Sequence, residues 1–108
     1  MNSSTKRVAI VDYGLGNLFS IRQACRHIGI DVIVSSDRET LVQSDALILP
    51  GVGAFGDAMA ELEKRGLVKL LQDQANSGKI LIGICLGMQL LMSTSKEFGI
   101  HKGLDIIP

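Results

Sequence analysis

Lys79-Ile80-Leu81-Ile82-Gly83-Ile84-Cys85-Leu86-Gly87-Met88-Gln89 is the stretch that decides the architecture. Lys79 to Ile84 is a short aliphatic run of the kind that forms a strand buried on both faces. Met88 to Met92 begins a helix, and only a few residues separate the two. Working outward, Val8-Ala9-Ile10-Val11, Val32-Ile33-Val34 and Ala46 to Leu49 are three more short apolar runs. Between the first two, Leu18, Ile21, Cys25 and Ile28 recur at helical spacing, and Gly29 follows as a C-cap. Between Ala46 to Leu49 and Lys79 to Ile84, Leu62, Leu67, Leu70, Leu71 and Ala75 suit a helix that Gly66 interrupts and Gly78 ends. Strands alternating with helices make βαβ units, hence a parallel sheet with right-handed crossovers and an α/β fold. In such sheets ligands gather beyond the carboxyl ends of the strands.

Composition narrows the function classes. The 108 residues carry 11 Lys plus Arg and 11 Asp plus Glu, so nothing in the charge favours nucleic acid or an anionic membrane. A hydrophobic fraction of 46% supports a packed core, and with three Phe, one Tyr and no Trp that core must be aliphatic. No run approaches the roughly 18 apolar residues of a membrane span, and no signal-peptide core follows the amino terminus. The simplest reading is one cytoplasmic domain. In that compartment Cys25 and Cys85 are expected to be free thiols.

Three strands end in distinctive loops: Asp12 to Asn17, Pro50 to Gly56, and Gly83 to Gln89. Gly83-Ile84-Cys85-Leu86-Gly87 is the cysteine version of a nucleophile elbow. Such a turn needs small residues two before and two after the nucleophile. The helix that follows aims N–H groups at the sulfur, favouring a thiolate, and Leu86 N–H is placed to serve an oxyanion. A buried Cys in a glycine-flanked turn has the same spacing. Cys25, on the apolar stripe of the first helix, reads as a core thiol. The Pro50-Gly51-Val52-Gly53 loop offers only backbone, suited either to a ligand contact or to a tight turn. The first loop resembles a dinucleotide fingerprint, but Phe19 stands where its third glycine belongs, so no cofactor is expected. No residue cluster suggests a metal.

Together, Val11-Asp12-Tyr13-Gly14-Leu15-Gly16-Asn17, Leu49 to Met59 and Gly83 to Leu91 resemble the class-I (triad) glutamine amidotransferases. More narrowly, they resemble the glutaminase subunits of imidazole glycerol phosphate synthases. The resemblance implies a three-layer, flavodoxin-like fold with residues 1–108 forming the amino-terminal part of one amidotransferase domain. It implies that Cys85 attacks the glutamine amide, with Leu86 N–H and a backbone N–H of Gly51 or Val52 as the oxyanion hole. It makes Gln89 and Glu97 substrate-binding residues, although Lys96 stands where a second acid is common. Tyr13, Gly14 and Asn17 fall where the family faces its partner, a (β/α)₈-barrel synthase subunit that would receive ammonia for histidine biosynthesis.

The same resemblance implies a triad His and Glu, both expected beyond Pro108. His27 reads as a partly exposed helix residue and His101 as a solvated loop residue, neither suited to be the base. Ile106-Ile107-Pro108 reads as a strand cut off as it starts. The expectation is therefore that these residues alone alkylate slowly at Cys85 without turning over glutamine, since general-base assistance is typically worth about 10²–10⁴-fold. Two other readings stay open: a catalytically incomplete docking module, and a thiol-based stress protein with a similar elbow.

Overall fold

The computed structural model describes residues 7–95 and 101–107. Four parallel strands, β1 (Val8–Val11), β2 (Val32–Ser35), β3 (Ala46–Leu49) and β4 (Ile80–Gly83), form a sheet in the order β2-β1-β3-β4. The α/β expectation and each of the four strands are borne out. That order is the flavodoxin-like one, whose direction of winding reverses between β1 and β3.

Helix α1 (Leu18–His27) covers one face and packs Leu18, Ile21 and Cys25 on Ile10, Val32 and Ile48. Helices α2 (Arg38–Gln43), α3 (Phe55–Lys64), α4 (Leu67–Asn76) and α5 (Leu86–Leu90) cover the other. There Ala9, Val11, Leu47 and Leu49 meet Leu41, Phe55, Ala58, Leu62, Leu70, Leu71, Leu86 and Leu90. The result is three layers, with both central strands almost wholly buried. Their unbroken aliphatic runs have this cause, since neither face of either strand meets water.

Helix starts follow local chemistry. Asn17 Oδ1 accepts from Ser20 N at 3.2 Å, and Asp37 Oδ2 accepts from Thr40 N at 3.1 Å. The short α2 has no periodic apolar stripe, only Leu41 buried, and the sequence pattern did not announce it. Lys79 Nζ closes its far end by donating to the carbonyls of Leu41 (3.1 Å) and Val42 (2.6 Å). The expected interruption at Gly66 is found: in a left-handed conformation it separates α3 from α4, and α3 starts earlier than its leucines suggest.

On the face covered by α1, the β4 side chains Ile80 and Ile82 are 63% and 45% exposed, because α1 reaches only β1, β2 and part of β3. After α5, Thr94–Ser95 (β5) pairs antiparallel with His101–Lys102 (β6), and Ile107 bridges Met92 in parallel. His101 is therefore a strand residue, half-buried, whose ring lies against Gly56 of α3; the solvated-loop reading is corrected. The contact arises because the 101–107 segment is stitched to α5 through Leu104 N–H to Leu90 O and Ile106 N–H to Leu91 O. His27 lies exposed in the last turn of α1, as expected.

Candidate functional site

The loops after β1, β3 and β4 meet where the strand order reverses, the position at which open α/β sheets hold ligands. Cys85 sits between β4 and α5 with φ 56° and ψ −125°, a conformation that side chains rarely adopt. Such strain costs about 1–3 kcal/mol and persists only where the surroundings impose it. Here they do. A Cβ on Gly83 would lie 2.6 Å from Met88 Cα, and one on Gly87 would lie 1.9 Å from the Leu49 carbonyl oxygen. The two glycines thus let α5 start directly against β3 and β4, and the turn between has one shape left. The Cys85 side chain faces solvent as a free thiol, whereas Cys25 is partly buried against the α1-side core.

The helix start differs from the sequence expectation. The first three N–H groups of α5 are all engaged: Gly87 with Ile84 O (2.9 Å), Met88 with Cys85 O (3.1 Å) and Leu86 with Gly51 O (3.3 Å). Leu86 N–H, expected to await an oxyanion, donates instead to the Pro50–Gly53 loop. The reason is tertiary. Gly51 lies against α5 so closely that a Cβ on it would be 2.9 Å from Gly87 N and 3.0 Å from Leu86 Cβ. Its carbonyl fills the place beside Leu86 N–H.

Tyr13 is also misplaced by sequence reasoning. Its side chain is fully buried, and its hydroxyl donates to Pro50 O at 2.6 Å. Burial pushes its pKa up to about 12. A residue with no exposed surface has nothing to offer a partner, so its assignment to the interface is corrected. Gly14 and Asn17, by contrast, are exposed, and Asp12 Oδ1 shapes their turn by accepting from Gly14 N–H at 3.2 Å. Gln89 lies on α5, one turn beyond Cys85, and is exposed. Val52 is 48% exposed beside the buried Gly51. Lys96 and Glu97 lie outside the described residues. No cluster of His, Cys, Asp or Glu suited to a metal occurs among the described residues.

Sequence reasoning missed two contacts, Tyr13 on Pro50 and Leu86 on Gly51. Neither leaves a sequence signal, because each joins loops 37 and 35 positions apart.

Comparison with known proteins agrees with this arrangement. The family model of class-I glutamine amidotransferases matches residues 9–100. A protein of Bacillus cereus (strain AH187) described as imidazole glycerol phosphate synthase subunit HisH is 52% identical over 101 residues, 94% of this chain and 48% of that one. The HisH of Exiguobacterium sibiricum is 54% identical over the same length, covering 94% of this chain and 51% of its own. The chain thus spans about half the length of the curated relatives it matches. Among solved structures, a putative peptidase E from Listeria monocytogenes has the same fold, with TM-score 0.76, 16% identity, and coverage of 98% of this chain and 66% of that one.

Proposed function

The chain belongs to the class-I glutamine amidotransferases, and from that premise we propose that its protein is the glutaminase subunit of an imidazole glycerol phosphate synthase, acting in histidine biosynthesis. The observation that carries the chemistry is Cys85, an exposed thiol held in strained backbone at the elbow between β4 and α5. The sulfur attacks the side-chain carbonyl carbon of glutamine, and the C=O electron pair moves onto oxygen. Collapse of that tetrahedral oxyanion expels the amide nitrogen, which takes up the proton given up by the thiol and leaves as ammonia, with a glutamyl thioester remaining on Cys85. Water cleaves the thioester, giving glutamate and regenerating the thiol. Gln89 and Glu97 hold the substrate, Gly14 and Asn17 face the synthase subunit, and ammonia passes to that partner, a (β/α)₈ barrel. No metal or cofactor takes part in these steps.

In this reading the present conformation is an idle one. The oxyanion needs Leu86 N–H and a second N–H from Gly51 or Val52, yet Leu86 N–H is engaged by Gly51 O at 3.3 Å. A bond of that length is at the weak end, worth about 0.5–1 kcal/mol. One oxyanion donor is worth about 2.7–4 kcal/mol in the transition state. Turning the Gly51–Val52 peptide therefore sacrifices little and gains much. It releases Leu86 N–H and brings Val52 N–H round in place of the carbonyl. A glutaminase that idles until its partner is ready avoids losing ammonia to solvent.

The test, made on the full-length protein, is a glutamine-analogue electrophile followed by mass spectrometry, with ammonia release measured in the presence of a synthase subunit. The proposal expects labelling of Cys85 and not of Cys25, and partner-dependent ammonia release. Equal labelling of the two thiols would refute it, and oxidation of Cys85 by peroxide without analogue labelling would favour a thiol-stress role.

A further inference from the structure

The Tyr13 hydroxyl is the polar group of this region that the chemistry above does not use. Its ring is fully buried, and it ends on the carbonyl of the residue that precedes the oxyanion loop, 2.6 Å from Pro50 O. The same loop meets Pro50 a second time. A Cβ on Gly16 would lie 2.9 Å from Pro50 Cβ and 3.2 Å from its Cγ, so the backbone of Gly16 is seated on the proline ring. Pro50 itself is buried, and its ring restricts φ. On the far side, a Cβ on Gly51 would lie 2.8 Å from the Tyr13 hydroxyl oxygen.

We infer that Tyr13 is a positioning residue that pins the Pro50–Gly51 peptide, so that the turn freeing Leu86 N–H is confined to the neighbouring Gly51–Val52 peptide. This rests on the glutaminase reading of the site and adds to it the part that stays still. Two adjacent peptides flanking a glycine share their torsional freedom, and without a fixed neighbour the second would swing through a range of orientations. With the Pro50 carbonyl held by a buried phenol, rotation about Gly51 ψ and Val52 φ has a single fixed end. Val52 N–H then arrives at one place. The pin also gives the exposed Gly14–Asn17 turn a route to the oxyanion loop. Whatever displaces that turn acts on Pro50 through one hydrogen bond and one glycine–proline contact.

The experiment compares Tyr13→Phe with the parent in the full-length protein, in complex with its synthase subunit. With that hydrogen bond removed, kcat for ammonia release is expected to fall by up to about tenfold. KM for glutamine should stay within about twofold, because a donor needed only in the transition state affects kcat. Alkylation of Cys85 by iodoacetamide, which uses no oxyanion hole, should be unchanged. A lesion that merely loosened the fold would move KM and alkylation as well. If the parent complex releases no ammonia, the glutaminase reading itself has failed. If the parent is active and Y13F matches it in kcat, or loses only in KM, the pin is refuted. Should Y13F not fold, the parent decides the matter by carbonyl 13C shifts on binding a glutamine analogue. The Gly51 carbonyl should move and that of Pro50 should not, and a larger change at Pro50 would overturn the inference.

Discussion

Replacing Gly87 by alanine probes the closer of the two glycine contacts on which the elbow rests. The added carbon would lie 1.9 Å from Leu49 O, 2.8 Å from Leu49 C and 3.1 Å from Pro50 C. An ordinary carbon–oxygen approach is about 3.3 Å, so α5 or the end of β3 must retreat by about 1.4 Å. Neither is free to do so. Leu49 is fully buried in a central strand, and its carbonyl accepts from Ile84 N–H at 3.0 Å. Losing that bond costs about 1 kcal/mol, and overpacking backbone against backbone adds about 1–3 kcal/mol. The expected loss is therefore about 2–4 kcal/mol, measured as the shift in urea unfolding free energy at constant m. Gly29→Ala is the control. Its φ of +85° strains any side chain, but nothing lies within 4 Å of the new carbon. Its cost should be about 1 kcal/mol, backbone strain less the gain from a stiffer unfolded chain. If G87A unfolds within about 1 kcal/mol of the parent, or costs less than G29A, the close-packing account of the elbow is wrong.

Two further outcomes follow from buried polar groups. Burial pushes the Tyr13 hydroxyl up to about 12 from near 10 when unfolded, so its contribution is complete below pH 10 and is lost as pH rises through 12, roughly 3 kcal/mol in all. Urea melts between pH 9 and about 12 should show that decline in the parent and not in Y13F; parallel curves would refute it. Lys79→Met removes the ammonium that closes α2 on the carbonyls of Leu41 and Val42, and should cost about 1 kcal/mol in the same melts. A stability equal to the parent would mean that water replaces the lysine without loss.

Much of the site was legible because its chemistry is local. Gly83, Cys85 and Gly87 lie within five positions of one another, and the elbow that they specify depends on spacing along a single turn. The four strands were legible for a similar reason. Each is a run of aliphatic residues; the central β1 and β3 are buried on both faces or nearly so, while β2 and β4 keep one side partly exposed. Helix α2 was not legible, since one buried leucine sets no period.

What the sequence by itself determined is the alternation of strands and helices, the family, and the identity of the thiol set on the elbow. Only the tertiary structure decided the state of the loops around it. The carbonyl of Gly51 on Leu86 N–H and the phenol of Tyr13 on Pro50 O join segments that are distant in the chain and adjacent only where β1, β3 and β4 end side by side. A hydrogen bond between such loops depends on strand order and on which way a peptide faces. Neither is written in the spacing of residues, because one peptide presents its N–H or its C=O to a site with no change of side chain.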